Sequence, residues 1–343
     1  MTRITLYPIN AVAGVWEDEP FDQTNLPAQI LPDVSIENVS SMFTEDTFSW
    51  VHTAMGTRDL ETLNNVKYAI VHRFSVPVNL DSGKADQDSA QLVNNVAACL
   101  RLIRPMRQSA SMMVGNLQSD GRVQIQTFNH PVNLFDVPMA HRGFALRNRD
   151  VADLQAVIGE FQRAMRGQFW KFRMSVSFHD GGYFAVPYWK SRFALWCSAV
   201  EALFTSQNIN HQGRLVATER IKWFLGENTS IFAPGDIPSF MPKSHYTVGE
   251  VVVDLCEVRN CIAHGDKIPD RFFQPLPNGY LGESGNIINV LHDALSFIIR
   301  TSLLRILKDN LLDHFADSQA SDAYFGAASL TRSALTKAKH KMP

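Results

Sequence analysis

The hydrophobic pattern of this chain changes its period near residue 150, and that change limits the folds available to it. Before this point, apolar residues alternate with polar ones or form short runs broken by Pro and Gly. After it, they recur every three or four residues over long stretches. A period near two is typical of strands, and a period near 3.6 is typical of amphipathic helices. The sequence therefore predicts an α+β N-terminal domain followed by an all-α helical bundle.

Two strands and one helix are predicted within residues 1–149. Tyr68–Val78 is rich in β-branched and aromatic residues, and Arg122–Phe128 alternates apolar with polar positions after an Asp-Gly turn signal. Gln91–Arg104 has apolar residues at helical spacing. Pro and Gly between these segments indicate an irregular mixed domain.

Helices dominate the prediction for the remainder of the chain. They are expected at Asp150–Met165, Ser191–Phe204, Arg214–Leu225, Val248–His264 and Ile287–Leu312. Gly and Pro between residues 181 and 187 interrupt the pattern. We therefore expect a linking helix and connector at 150–186, a helical domain at 187–315, and a weakly ordered basic tail at 316–343.

Composition is that of an ordinary globular protein, with 45% hydrophobic and 19% charged residues. The net charge of −2 argues against attraction of the whole protein to nucleic acid, so RNA contact would need a local basic patch. All four cysteines lie in apolar surroundings, which favours thiols in a reducing compartment; they are Cys99, Cys197, Cys256 and Cys261.

The beginning of the chain does not resemble a signal peptide. Pro8 and Asn10 interrupt its apolar stretch, and acidic residues follow at 17–19. The sequence has no uninterrupted apolar run of about 18 residues, so it predicts no membrane span. The expected location is cytoplasmic.

Basic residues are concentrated between residues 101 and 173, a segment that contains eleven Lys or Arg and only five Asp or Glu. A solvated surface is one explanation. A phosphate-contacting strip is another, because clustered arginine favours phosphate. The candidate RNA-binding residues are Arg142, Arg147 and Arg149.

The segment from Glu257 to Gly265 concentrates polar residues at the end of a predicted helix. At about 100° per residue, Asn260 lies opposite the apolar side, and Glu257 and His264 lie within about 60° of it. Arg259 lies on the flank. These side chains could be functional. Alternatively, His264 could be a helix-terminal cation and Arg259 a partner for Glu257 or another acid.

The string Arg259-Asn260-Cys261-Ile262-Ala263-His264 resembles the Arg-Asn-x-x-x-His motif of the HEPN superfamily. The segment Phe193–Phe204 resembles the first core helix of the Apea-like HEPN branch. Together they suggest a HEPN-like domain over about residues 187–312.

This resemblance implies a four- or five-helix bundle that commonly forms a homodimer, with the site where two motifs meet. Many members are metal-independent endoribonucleases, whereas others are inactive or bind nucleotides. Residue by residue, Arg259, Asn260 and His264 match the motif. Glu201 matches an acidic position of the first helix, and Glu257 is a further supporting candidate.

The implied reaction is RNA cleavage by 2′-hydroxyl attack, giving 2′,3′-cyclic phosphate and 5′-hydroxyl ends without a cofactor. His264 would act as general base or acid, Arg259 would hold the phosphate, and Asn260 would orient His264 or donate to a phosphate oxygen. The implied setting is toxin-like or antiviral defence, with RNA and possible antitoxin or regulatory protein partners. In that setting the domain at residues 1–149 would sense a trigger or select the substrate. A non-catalytic module that binds RNA, a nucleotide or a protein, or a purely structural motif, remains an alternative.

Other kinds of site have weaker support in the sequence. Cys256, Cys261 and His264 share one helix, and their spacing does not give tetrahedral convergence, so no metal site is predicted. No Gly-rich phosphate loop and no Gly-x-Ser-x-Gly elbow occurs. Four aromatic residues could stack on bases but more often pack in a core; they are Tyr183, Phe184, Tyr188 and Trp189.

Overall fold

The computed structural model describes residues 2–9, 25–43, 66–77, 82–104, 112–129, 146–184, 189–206, 213–231, 246–274 and 286–326. Its strands are β1 (Thr2–Ile9), β2 (Ala28–Leu31), β3 (Val34–Asn38), β4 (Tyr68–Ser75), β5 (Met112–Leu117) and β6 (Val123–Asn129). Its α-helices are α1 (Ser82–Ile103), α2 (Asn148–Arg166), α3 (Trp170–Phe184), α4 (Trp189–Phe204), α5 (Gly213–Leu225), α6 (Val248–His264), α7 (Ile287–Lys308) and α8 (Ser318–Phe325). The expected order, a mixed α+β part and then a helical part, is confirmed.

All six strands form one antiparallel sheet in the order β2-β3-β4-β1-β5-β6. β1 lies inside the sheet, between β4 and β5, and every residue after Thr2 is buried. On one face of β1, Ile4 and Leu6 join an apolar core with residues of the neighbouring strands. Of these strands, the sequence predicted β4 and β6, and the turn at Gly121 before β6 has the positive φ of 84° that suits glycine.

Helix α1 packs against the other face of β1, where polar side chains of the strand form hydrogen bonds with side chains of the helix. Arg3 donates from Nε to Asp86 Oδ1 at 2.6 Å, and Arg101 donates to the Tyr7 hydroxyl at 2.5 Å. Both arginines are 4% exposed or less. These buried hydrogen bonds allow a central strand to contain charged and hydroxyl groups.

The chain divides into two compact units. The sheet unit contains the sheet, α1 and α2 as far as Gln162, and the helical unit contains the helices from Arg163 onward. The predicted boundary at residue 150 therefore differs from the observed one. The change of period marks the beginning of α2, but most of that helix belongs to the sheet unit.

Helix α3 lies in the segment predicted to be a connector. The sequence predicts Gly181 and Gly182 to be a break before the helical domain, yet both lie within α3, and Gly182 allows close packing of α3 against α4. A Cβ at Gly182 would lie 2.3 Å from Trp196 Nε1. That Nε1 donates to the His179 carbonyl oxygen at 3.0 Å. The glycine is thus a packing residue and does not end the helix.

Helix α7 is the central helix of the helical unit and contacts α3, α4, α5 and α6. Among the described helices it alone is long and apolar enough to span a membrane, with a mean hydropathy of 1.4. However, 61% of that window is buried inside the protein, which is typical of a core helix. The helix ends at Lys308, four residues before the predicted end at Leu312. Asn310, just after the helix, adopts a positive φ of 56°.

Helix α8 lies in the segment predicted as a weakly ordered tail. Its Asp322 accepts from Arg220 Nη2 at 2.7 Å, and Arg220 is fully buried. The Arg220 guanidinium also lies over the Phe325 ring, 4.9 Å from its centroid. These contacts order the chain as far as Gly326, and residues 327–343 of the predicted tail lie outside the described residues.

Candidate functional site

The motif residues lie in the last two turns of α6, and local sequence fixes both ends of that helix. Thr247 forms a capping box with Glu250, in which each residue's backbone N–H donates to the other's side chain. Gly265 adopts the left-handed conformation at φ 74°, and its N–H donates to the Cys261 carbonyl oxygen. The predicted bounds Val248–His264 and the predicted glycine cap are both confirmed.

One side of α6 packs into the helical unit as the helical wheel predicts. Val251, Leu255 and Val258 are 6% exposed or less. Ile262 is half-buried, because the helix leaves the core near its C-terminal end. Polar residues lie on the opposite side of α6. Asn260 is half-buried there, and His264 is exposed in the final turn.

Arg259 forms a two-point ion pair with Glu201 near the end of α4. Its Nε lies 3.0 Å from Glu201 Oε1, and its Nη2 donates to Oε2 at 3.2 Å. The side chains are 25% and 28% exposed, respectively. A planar guanidinium and a carboxylate match in this geometry, so the pair holds Arg259 in one orientation while leaving it accessible.

Glu257 belongs to a different charge cluster. It and Asp254 both accept hydrogen bonds from Arg271, at 2.5 Å and 3.3 Å. Burial raises the pKa of Asp254, and the Arg271 guanidinium partly opposes that effect. Arg271 was not predicted, because no local spacing links it to a helix that ended seven residues earlier. Glu257 is therefore not the partner of Arg259.

Within the described residues, no group of three or more His, Cys, Asp or Glu could hold a metal ion. The four cysteines all lie in that part of the chain and form no disulfide. Cys256 faces Thr218 of α5, with Sγ and Oγ1 3.4 Å apart. Burial raises the pKa of the Cys99 thiol above its ordinary value.

The basic strip predicted in residues 101–173 is partly internal. Arg101 and Arg104 are each 3% exposed, and Arg147 is 9% exposed with its Nε 3.5 Å from Asp150 Oδ2. Burial and that carboxylate count against Arg147 as a phosphate contact. Arg149 is exposed. Arg142 lies outside the described residues.

The two described aromatic candidates for base stacking are half-buried and pack against rings of the helical unit. Tyr183 packs against Trp196, with ring centroids 5.5 Å apart. Trp189 packs edge-on against Phe193 and against buried His292. The Phe184 side chain and Tyr188 lie outside the described part of the chain.

Comparisons with protein-family models, with curated proteins and with solved structures find no match.

Proposed function

We propose that the helical unit is a metal-independent endoribonuclease of the HEPN type, in the Apea-like branch. The observation that carries the proposal is the two-point pair between Arg259 and Glu201. The sequence resemblance singled out these two residues separately, 58 positions apart. Their direct contact supports a common role, because a pair at one site is a stronger signal than two isolated matches.

The chemistry follows from what RNA already supplies. Its 2′-hydroxyl is the nucleophile, so the protein has to remove one proton, donate another and stabilise the charge on phosphorus. His264 is exposed at the end of α6 and is proposed as the acid or base. Arg259, oriented by Glu201, would bind a phosphate oxygen through N–H donors that Glu201 does not use. Asn260, one helical turn before His264, would orient the substrate or the imidazole.

A homodimer completes the proposal. Asn260 and His264 lie on the side of α6 away from the buried apolar residues, so a second copy could place its own motif opposite them. We further propose a cytoplasmic toxin-like or antiviral defence role, with an antitoxin or other regulatory protein as a partner. The sheet unit would select the RNA or sense the trigger.

The ion pair also favours a second candidate function. Glu201 already neutralises Arg259, and a site of this kind could bind RNA, a nucleotide or a protein without cleaving anything. The two candidates differ in what His264→Ala removes. A nuclease loses cleavage, whereas a binding module loses affinity.

The test compares wild-type protein with His264→Ala on mixed RNA in the presence of EDTA. We expect wild-type cleavage to give 2′,3′-cyclic phosphate and 5′-hydroxyl ends, and the variant to be slower by about 100- to 10,000-fold. His314→Ala is the matched control, because His314 is another exposed histidine of the helical unit. It should cleave at the wild-type rate.

Three results would count against the nuclease. Products with 3′-hydroxyl ends would rule out attack by the 2′-hydroxyl. Loss of cleavage in EDTA would show a requirement for metal. Absence of cleavage, combined with RNA binding that His264→Ala weakens, would establish the binding module instead.

A further inference from the structure

An apolar pocket opens between α4, α5, α6 and α7, directly beside the Arg259–Glu201 pair. The pocket is partly open to solvent, and the space inside it, including solvent at its opening, is about 460 Å³. Its walls are aliphatic and come from all four helices; they include Val200, Ala217, Ile221, Val252, Leu255 and Leu295. All of these wall residues are less than 10% exposed.

The walls determine which part of a ligand the pocket can hold. The aliphatic side chains of these walls offer apolar surface and no hydrogen bonds. An apolar group is therefore the occupant that the walls favour.

Polar groups line the same pocket and determine what kind of head group the occupant carries. They are Arg259, Glu201, Thr218 and Cys256. Glu201 accepts from Nε and Nη2 of Arg259, which leaves further N–H donors on the five-donor guanidinium. Both Glu201 oxygens already accept from Nε and Nη2 of Arg259. An amine would therefore have to displace Arg259 from Glu201 in order to bind there. A carboxylate can share Arg259 with Glu201 or replace Glu201 as its partner.

We infer that this pocket binds a small aliphatic carboxylate, with its chain between the four helices and its carboxylate on Arg259. The inference does not depend on the ribonuclease proposal, because it uses only the pocket walls and the Arg259 guanidinium. A nucleotide is a poorer match, since the described walls offer aliphatic surface and few polar atoms to a base.

The experiment titrates the full chain with octanoate and, in parallel, with octanol, and follows binding by calorimetry. We expect saturable binding of octanoate, at least 10-fold tighter than octanol. Arg259→Gln should remove that preference and leave octanol binding unchanged. Ala217→Phe, which fills the pocket, should abolish binding of both. No saturable octanoate binding, equal affinity for the two probes, or undiminished binding by a folded Ala217→Phe would overturn the inference.

A second measurement uses the wild-type chain and does not depend on the folding of a variant. Cys256 lines the pocket, whereas Cys261, on the same helix and also half-buried, does not line it. Octanoate at saturation should slow alkylation of Cys256 by N-ethylmaleimide at least 5-fold and leave Cys261 unchanged, as measured by peptide mass spectrometry. Equal rates at Cys256 with and without octanoate would contradict occupation of the pocket.

Discussion

Among the described residues of the helical unit, two arginine–carboxylate pairs join different α-helices, and they differ chiefly in burial. The Arg220–Asp322 side chains are 0% and 9% exposed, whereas those of Arg259 and Glu201 are 25% and 28% exposed. The first pair is almost fully shielded from solutes. The second pair can exchange partners with a solute. The same chemical contact therefore serves structure in the interior and is available for function at the edge.

The largest expected effect comes from breaking the interior pair. Asp322→Ala leaves the Arg220 charge buried without its carboxylate, and we expect the free energy of unfolding to fall by about 3–5 kcal/mol. Glu201→Ala removes the carboxylate of the accessible pair, where water can solvate Arg259, and should cost about 1 kcal/mol or less.

Urea denaturation followed by tryptophan fluorescence measures both effects, because most of the tryptophans lie in the helical unit. These are Trp170, Trp189, Trp196 and Trp223. Equal losses in the two variants would show that burial does not separate the pairs, and the functional interpretation of Arg259 would lose its basis.

The two pairs also differ in how far the sequence predicts them. Arg259 is a candidate because it matches a position in a short motif, and Glu201 because it matches an acidic position of the first helix in the resemblance. Arg220 and Asp322 match no motif, and Asp322 lies in a segment whose Ala and Ser content indicated weak order. Only the packing of α8 shows that Asp322 meets Arg220, 102 positions earlier.

A pair of adjacent glycines gives a second comparison between interior and accessible positions. Gly182→Ala places a Cβ 2.3 Å from Trp196 Nε1, so we expect a loss of about 1–3 kcal/mol from overpacking. Gly181 has no atom within 4 Å of the corresponding Cβ position. Gly181→Ala should therefore be neutral or stabilise α3 by up to about 1 kcal/mol, through helix propensity alone.

The thermal melting temperatures of the two variants should move in opposite directions, or only that of Gly182→Ala should fall. If Gly182→Ala is as stable as wild type, the close approach of α3 and α4 does not depend on this glycine.

These glycines also show why parts of the fold escaped prediction. The sequence predicts helix α6 to the residue because its apolar spacing and its terminal glycine are local signals. Helix α3 was missed because Gly181 and Gly182 were interpreted locally, whereas Gly182 is required by a tryptophan on another helix. β1 was missed for a similar reason. The partners that satisfy Arg3 and Tyr7 lie on α1, about 80 to 95 positions away.

The last prediction compares a buried histidine, His292, with an exposed one, His264, by the pH dependence of stability. His292 is 4% exposed among aromatic rings, and neither ring nitrogen has a hydrogen-bond partner within the described structure. Burial, with a further contribution from Arg192, lowers its pKa from 6.5 to about 3. Between these values the unfolded chain binds a proton that the folded chain does not. Stability from this group is therefore complete above pH 6.5 and falls as the pH falls towards 3.

From pH 8 to pH 5, His292 should account for a loss of about 2 kcal/mol in the free energy of unfolding. His292→Leu should fold, since it removes two unsatisfied buried nitrogens, and its stability should depend less on pH by that amount. His264→Leu is the matched control, because His264 is exposed and should leave the pH dependence close to that of wild type. Urea titrations of all three proteins at both pH values provide the measurement. If the pH dependence is lost in His264→Leu and kept in His292→Leu, the proton-linked group lies at the accessible site and the assignment of the two histidines is reversed.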